Sequence, residues 1–251
     1  MLELLKRAIR RTASRLGYTI AADWRLARIP QQRYLARLFD LLRIDCVVDV
    51  GANRGQYRDL IRHDVGYSGP IVSFEPIPSL FADLRRRARF DGAWFVEPYA
   101  LGSACGVSTL NVMADDLFSS FRQPTHASTR MFEPSNRVVR RVDVSVETLD
   151  RAMAAMRERV AFDRPYLKID AQGFDDEVLA GGPGFLAQAL ALQFEASVVP
   201  IYDGAPDYVQ SIRALEDAGF VLSGIFPNNP EHFPRMIEFD CHMVRRTLAQ
   251  A

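Results

Sequence analysis

The strongest constraint on the fold is a glycine turn between two short apolar segments. Residues 47–55 read VVDVGANRG, and the second apolar segment ends at Glu75 about twenty residues later. An apolar strand, a glycine turn, a helix and a second strand ending in a carboxylate together form the unit with which α/β folds bind adenosine. The glycines permit close backbone approach, and Glu75 can accept both ribose hydroxyls. We therefore expect an adenosine-containing ligand.

The spacing inside the turn narrows the choice of ligand. Dinucleotide sites are written G-x-G-x-x-G, whereas this turn reads D-x-G-x-x-x-G, so a pyrophosphate is disfavoured. No Gly-Lys-Ser/Thr ends the turn, which excludes a P-loop. S-adenosylmethionine, a nucleoside without phosphates, remains. An NAD-dependent dehydrogenase and an ordinary tight turn stay open as alternatives.

Each end of the methionine part of such a ligand has an expected position. We expect its carboxylate near free N–H groups at the start of the helix after Gly55. Its ammonium is expected near carbonyls at the end of the first strand, with Asp49 adding negative charge there.

Apolar segments that end in carboxylates recur along the chain. Four carboxylates follow such segments: Asp49, Glu75, Asp170 and Glu195. Open α/β sheets bind ligands at the carboxyl ends of their strands, so these side chains are expected on one rim. A chain of 251 residues that is 48% hydrophobic is long enough for one such domain, which we place at 44–251.

Residues 1–43 are predicted to form an N-terminal basic helical extension. They contain ten Lys and Arg against three Asp and Glu, with apolar residues at helical spacing. Two interpretations remain open. The extension packs on the catalytic domain or on a second subunit of a homo-oligomer, or it lies on an anionic membrane surface. Nucleic-acid binding is not expected, because interleaved aromatic residues are lacking and the rest of the chain is acidic.

Cysteine usage bears on the compartment and on metal binding. Three widely separated cysteines show no CxxC or Cys/His metal spacing, and no secretory signal is recognised. We expect a reduced, cytoplasmic protein with no metal site, although a variant in which rim carboxylates hold Mg²⁺ stays open.

Periodicity is absent between residues 113 and 137, where phenylalanine, arginine and histidine are mixed. A long irregular segment inside a compact enzyme is typical of a lid or binding loop. We assign acceptor binding to residues here and in the later Pro/Asn-rich loop: Ser119, Ser120, Phe121, Arg122 and His232.

With these pieces in place, the chain resembles the FkbM family of S-adenosylmethionine-dependent O-methyltransferases. The matching blocks are CVVDVGANRGQY (46–57), VSFEPIPSLFADL (72–84), ALGSACGVSTLNV (100–112), VETLD (146–150), LKIDAQGFDDEVLAGG (167–182) and QFEASVVPIYDG (193–204). Two departures occur, at residues 175–177 and in a shortened serine-rich segment at 115–120.

The resemblance implies an α/β, Rossmann-like class I methyltransferase fold, with a seven-stranded, mostly parallel sheet and helices on both faces. It also implies S-adenosylmethionine as the methyl donor and a hydroxyl acceptor on a sugar or another natural product. Carried over by position, the cofactor-binding residues are Asp49, Gly51, Asn53, Gly55, Tyr57, Glu75, Pro76, Ala100, Leu101 and Asp170. Among them, Glu75 is expected to hold the ribose and Ala100-Leu101 to lie near the adenine.

Methyl transfer to a hydroxyl needs a base that takes the proton as the C–O bond forms. Glu195 and Asp170 are candidates because they follow rigid strands, and His126 because of its ordinary pKa. His232 is a further candidate. A protein that kept the fold but lost its chemistry, acting as an adenosine-binding scaffold, is the alternative from another functional class.

Overall fold

The computed structural model describes residues 26–228 and 232–248. The helices are α1 Ile29–Leu42, α2 Gln56–Leu60, α3 Pro78–Ala88, α4 Leu149–Met156, α5 Asp175–Ala180, α6 Pro183–Gln188 and α7 Tyr208–Asp217. The strands are β1 Cys46–Val50, β2 Ile71–Phe74, β3 Trp94–Glu97, β4 Ala100–Leu101, β5 Gly106–Met113, β6 Val138–Glu147, β7 Pro165–Ile169, β8 Ala191–Ser197, β9 Phe220–Pro227 and β10 Glu238–Arg245. Most of the basic extension predicted from the sequence falls on residues 1–25, outside the described residues.

Seven strands form one twisted sheet in the order β3-β2-β1-β7-β8-β10-β9. β1 pairs in parallel with β2 and β7, and β10 runs antiparallel between β8 and β9. The strand order reverses direction at β1, and open α/β sheets bind ligands in the crevice at such a point. The functional site is therefore expected beyond the carboxyl end of β1.

Alternate residues of the central strands pack on opposite faces of the sheet, and each face has its own hydrophobic core. Val48 of β1 packs in the core that contains α4 and α6, whereas Val47 packs in the core that contains α1. All five residues of β1 are buried, as expected for a parallel strand covered by helices on both faces. The four buried residues of α1 are Leu35, Leu38, Phe39 and Leu42, so this helix is part of the second core.

A second, three-stranded sheet in the order β4-β6-β5 covers the carboxyl end of the large sheet. The sequence predicted β5 and β6 as strands but not that they would pair into a separate sheet. Residues 114–137 connect β5 to β6 and contain two short 3-10 turns, at Asp116–Phe118 and Arg130–Phe132. They otherwise lack regular structure, as the missing periodicity indicates.

Two glycines divide the helical segment that follows β7. Gly181 and Gly182 separate α5 from a further short helix, α6, which begins at Pro183. Within the described part of the chain, no helix is long and apolar enough to cross a membrane.

Candidate active site

An open cavity of about 640 Å³ lies where the crevice is expected. Its floor comes from the ends of β1, β2 and β7, and its cover comes from the small sheet and residues 114–137. The lining residues are Val50, Gly51, Asn53, Phe74, Glu75, Pro76, Ile77, Ala100, Leu101, Leu110, Asp116, Leu117, Ser119, Phe121, Asp170, Ala171 and Gln172. We call this space the cofactor cavity.

The turn after β1 brings backbone close to the next strand. Gly51 has φ +75°, and a Cβ placed on it would lie 2.0 Å from the backbone oxygen of Asp170. Only glycine fits there, because both the left-handed conformation and the close approach exclude a side chain. Asn53 also has a positive φ, 46°, and lines the cavity. The turn therefore leaves a narrow cleft between β1 and β7.

Glu75 lies just beyond the end of β2 and is fixed by two backbone donors. The N–H of Asn53 donates to Oε2 at 2.7 Å, and the N–H of Ile77 donates to Oε1 at 2.8 Å. Burial raises the pKa of Glu75 to about 7, although these two hydrogen bonds oppose the shift. Each oxygen keeps lone pairs that can accept hydroxyl donors on the cavity side. This geometry suits a vicinal diol.

Asp49 is placed differently from the sequence prediction, which put its charge beside the ligand. It is fully buried below the cavity, and Lys168 Nζ lies 3.0 Å from its Oδ1. The same ammonium donates to the carbonyls of Val50 and Gly51 at 3.3 and 3.0 Å. These are the carbonyls expected to meet the ligand ammonium, so Lys168 already uses them. The reason is burial, because a carboxylate this deep needs a cation.

Gly55 and Tyr57 also lie away from the cofactor cavity. A side chain on Gly55 would meet Leu84, Trp94 and Arg87, so this glycine permits packing against α3 and β3. Tyr57 is packed beside Lys168, whose Nζ lies 5.4 Å from its ring centre. Both residues act on the ligand only through the structure of the turn.

The opposite end of the cavity is apolar. Ala100 and Leu101 of β4 are buried and line it, together with Pro76 and Phe121. Phe121 packs against Phe174 with ring centres 4.8 Å apart. A flat heteroaromatic ring fits such walls better than a charged group does, which matches the adenine end predicted from the sequence.

Gln172 joins two carboxylates at the ends of neighbouring strands, and sequence reasoning missed it. Its Nε2 donates to Asp170 Oδ1 at 2.8 Å and to Glu195 Oε2 at 3.0 Å. Its Oε1 lies 2.7 Å from the hydroxyl of Tyr202, which donates to it or to the carbonyl of Phe118. The residue has φ +51°, a conformation that the sequence does not reveal. Asp170 and Gln172 line the cavity, and Glu195 lies directly behind Gln172.

Glu195 belongs to a group of carboxyls on β8 and β10. Asn228 donates to its Oε1 at 2.9 Å, and Glu238 and Asp240 lie on the adjacent strand. Burial, followed by the charges of Glu238 and Asp170, raises the pKa of Glu195 well above its usual value. Burial likewise raises the pKa of Glu238 to about 7. Both carboxyls therefore bind a proton more tightly than an ordinary glutamate does.

The residues predicted to bind the acceptor separate into two sets. Ser119 and Phe121 line the cofactor cavity. Ser120 is buried and donates to the carbonyl of Gln172 at 2.6 Å, and Arg122 forms a bidentate pair with Asp176 while donating to the carbonyl of Gly173. Ser120 and Arg122 thus hold the loop that carries Gln172 and do not line the cavity.

Neither predicted histidine lies on the cavity wall. His126 belongs to residues 114–137, and its neighbour Thr125 pairs with the backbone of Ile201. His232 packs edge-on against Phe132 with ring centres 5.2 Å apart. Asp170 lies on the wall, and Glu195 is hydrogen-bonded to Gln172 of the wall, so both are stronger base candidates than His126. No group of three or more His, Cys, Asp or Glu side chains in residues 26–228 and 232–248 is arranged to hold a metal ion.

The donor set of the cavity fits S-adenosylmethionine. Glu75 offers fixed acceptors for a diol, the walls at Ala100 and Leu101 accept a flat ring, and Asp170 can face an ammonium. No Lys or Arg lines this cavity within the described residues, so no side-chain cation is available for a phosphate. A nucleoside without phosphates therefore suits the site.

Comparison with known proteins settles the family. The sequence profile of the methyltransferase FkbM domain matches residues 49–222. The chain belongs to the FkbM methyltransferase family. The family depends on S-adenosylmethionine, so the family, fold and cofactor predicted from the sequence are confirmed. No curated protein matches the chain in sequence.

Solved structures resemble the chain at low sequence identity. The methyltransferase FkbM from Methylobacillus flagellatus KT has a TM-score of 0.50 and 14% identity, covering 80% of this chain and 43% of that chain. This FkbM-family chain thus spans about two fifths of that protein. Magnesium protoporphyrin IX methyltransferase from Synechocystis PCC 6803, solved with bound S-adenosylmethionine, has a TM-score of 0.46 and 10% identity over 89% of this chain and 82% of that chain.

Proposed function

We propose that this FkbM methyltransferase transfers the methyl group of S-adenosylmethionine to a hydroxyl oxygen of a sugar, glycan, glycolipid or related natural product. The observation that carries the proposal is the link from the cofactor cavity to a proton-accepting carboxyl. Gln172 lines the cavity and holds both Asp170 and Glu195 through one amide nitrogen. A hydroxyl acceptor needs such a base, because it is a poor nucleophile while protonated.

The cofactor-binding residues have separate tasks. Glu75 accepts hydrogen bonds from the ribose hydroxyls, and Asp170 faces the methionine ammonium, since it lies at the Gly51 end of the cavity. Ala100, Leu101 and Pro76 enclose the adenine. When bound, S-adenosylmethionine supplies an electrophilic methyl carbon on a sulfonium. The protein holds the acceptor oxygen in line with the sulfur and excludes water.

Glu195 is the base in this proposal. The acceptor oxygen forms its bond to the methyl carbon as the sulfur–carbon bond breaks, and the hydroxyl proton passes to the Glu195 carboxylate. Because burial raises the pKa of Glu195, its ionised form is a stronger base than an ordinary carboxylate. Gln172 and Asn228 hold the two carboxylate oxygens in place. Ser119 and Phe121 line the cofactor cavity and would contact the acceptor.

Partners and location are proposals of the same kind. The acceptor is a small molecule or glycan, with no nucleic acid, and the basic N-terminal residues provide peripheral membrane contact if the acceptor is a glycolipid. A cytoplasmic setting, with or without that contact, and a homo-oligomer are consistent with the sequence.

Label transfer tests the function directly. The protein is incubated with S-adenosylmethionine labelled at the methyl group and with cell-envelope or polysaccharide extracts, and the labelled product is characterised by mass spectrometry and NMR. We expect label on a hydroxyl oxygen with wild-type protein, a loss of at least about tenfold with Glu195→Gln, and no change with the exposed control Glu158→Gln.

Two results would contradict the proposal. Label on nitrogen or carbon would refute O-methylation while leaving the methyltransferase assignment intact. Binding of S-adenosylhomocysteine without transfer to any extract would favour the scaffold alternative.

A further inference from the structure

A second cavity, with about 380 Å³ of accessible space, lies beside the cofactor cavity and shares a wall with it. Ile77 and Asp116 line both spaces. The volume lies within the roughly 300–1,000 Å³ that small-molecule sites occupy. A molecule in the second cavity would therefore lie next to the cofactor cavity, beside Ile77 and Asp116.

An ion pair forms the polar part of the shared wall. Arg54 Nη2 lies 2.5 Å from Asp116 Oδ2, and Asn53 Nδ2 donates to Asp116 Oδ1 at 3.2 Å. Asn53 lines the cofactor cavity and Arg54 the second cavity, so Asp116 is contacted from both sides. The charge of Arg54 is balanced within this wall and is not free to bind another anion.

The floor of the second cavity is apolar. Val112 of β5 lines it, and Leu110, two residues earlier on the same face of that strand, lines the cofactor cavity. Leu80 of α3 completes the floor. One face of the small sheet therefore runs beneath both spaces. An apolar floor with charged and polar groups above it suits a sugar ring, which offers a C–H face and hydroxyl edges.

Arg140 is the second cation on the wall of this cavity, and unlike Arg54 it is not paired with Asp116. It lies opposite Val112 in the β5–β6 pairing and lines the second cavity. Its side chain is exposed and forms no ion pair or hydrogen bond with any residue in the described ranges. Asp115, also on the wall, accepts the N–H of Leu117 at 3.1 Å through Oδ1. The second cavity thus combines an unpaired guanidinium with carboxylates that can accept hydroxyl donors.

We propose that the second cavity binds the non-reacting part of the acceptor, and that the acceptor is a sugar carrying one anionic group, either a carboxylate or a phosphate. Arg140 donates to the anionic group, and Asp115 and Asp116 accept hydrogen bonds from ring hydroxyls. The inference rests on the proposed function, because it assigns the cavity to the acceptor of that methyl transfer. The anionic group and the base Glu195 then lie at different ends of the acceptor.

Matched sugars test the proposal without knowledge of the natural acceptor. Protein saturated with S-adenosylhomocysteine is titrated with methyl β-glucuronide, glucose 6-phosphate or methyl β-glucoside, and dissociation constants are measured from NMR chemical shifts. We expect at least one anionic sugar to bind about tenfold more tightly than the neutral glucoside, as a charge-assisted contact provides. Preference for the glucuronide identifies a carboxylate, and preference for glucose 6-phosphate identifies a phosphate.

Two variants assign the preference to a residue. Arg140→Gln is expected to remove it, and Arg89→Gln, at the far end of α3 from the cavity, is expected to keep it. Equal binding of the three sugars, no measurable binding of any, or a preference that survives Arg140→Gln would overturn the proposal. Binding of S-adenosylhomocysteine is measured by calorimetry on the same samples. A protein that binds the nucleoside but none of the sugars contradicts the assignment of the second cavity and leaves the proposed function intact.

Discussion

Two groups of buried carboxyls lie at the ends of neighbouring strands, and only one of them contains a cation. Asp49 of β1 faces Lys168 of β7 with 3.0 Å between the charged atoms. Glu195 of β8 and Glu238 of β10 have no Lys or Arg ion pair among the described residues, and their nearest charges are other carboxyls. Asp49 and Glu238 are both almost fully buried, whereas the charges around them are opposite in sign.

This difference in charge indicates a structural role for the first group and a chemical role for the second. Burial disfavours the charged form of Lys168, but Asp49 and Asp170 outweigh this and raise its pKa, so Lys168 stays protonated. In the second group, burial and like charges together raise the pKa of Glu195 and Glu238. The ionised form of Glu195 is therefore a stronger base than an ordinary carboxylate, as a base for methyl transfer requires.

Removing the cation from the first group is expected to have the largest effect on stability. It tests most clearly whether the two groups of carboxyls differ. Lys168→Met leaves Asp49 buried without a cation, with only the hydroxyl of Ser73 as a donor, and frees the carbonyls of Val50 and Gly51. We expect the free energy of unfolding at pH 7.5 to fall by about 3–5 kcal/mol in urea denaturation. The double variant Asp49→Asn with Lys168→Met should recover part of this loss. A loss below about 1 kcal/mol would mean that the pair is not structural.

Glu75 is a further buried carboxyl, and unlike those of the two groups it is proposed to bind the ligand directly. Replacing it with alanine removes both acceptors for the ribose hydroxyls. Isothermal calorimetry should show the binding of S-adenosylhomocysteine weakened by about 2–4 kcal/mol, or roughly 30- to 1,000-fold. Glu97→Ala, at the end of the neighbouring β3, is the matched control and should bind normally. Unchanged affinity in a folded Glu75→Ala protein would contradict the ribose assignment.

The charge balance of the second group can be tested through the effect of Glu238 on the pH dependence of stability. The pKa of Glu238 is about 7 in the folded protein and 4.5 when unfolded, so between these values the folded state retains a proton that the unfolded state loses. The free energy of unfolding should therefore fall as the pH rises from 4.5 to 7 and then level. Glu238→Gln should flatten this fall and stabilise the protein at pH 8 by roughly 1–3 kcal/mol. A destabilised variant with an unchanged pH profile would show that the carboxyls are compensated by a cation after all.

The smallest expected effect is the pH dependence of cofactor binding. Burial raises the pKa of Glu75 to about 7, and its ionised form is the better acceptor for ribose hydroxyls. Affinity for S-adenosylhomocysteine should therefore rise with pH, by at most about tenfold per unit below pH 7, and level above it. Glu75→Gln should bind weakly and without this dependence. A wild-type affinity that is flat between pH 5.5 and 8 would place the titration elsewhere.

The sequence predicted the parts of the molecule that follow local rules. Residues 47–55, with an apolar strand followed by glycines, indicated both the fold and the turn, and Glu75 could be found by its distance from that turn. The starts of α1 and α7 carry local signals of the same kind, namely Pro30 in the first turn and the Asp207 cap.

Contacts between distant segments could not be predicted in the same way. Asp49 and Lys168 are 119 positions apart, so their ion pair depends on the order of strands in the sheet. Gln172 is unremarkable as a residue type and becomes important through a left-handed backbone conformation that places its amide between two carboxylates. Ser120 and Arg122 were assigned to the acceptor by composition, but the fold uses them to hold the Gln172 loop.

The most direct test of the central claim is a crystal structure of the protein grown with S-adenosylhomocysteine. We predict both ribose hydroxyls within hydrogen-bond distance of the Glu75 carboxylate, the adenine against Ala100 and Leu101, and the sulfur directed towards the Gln172 side of the cavity. Density for the nucleoside in another place, or a ribose that does not touch Glu75, would contradict the account.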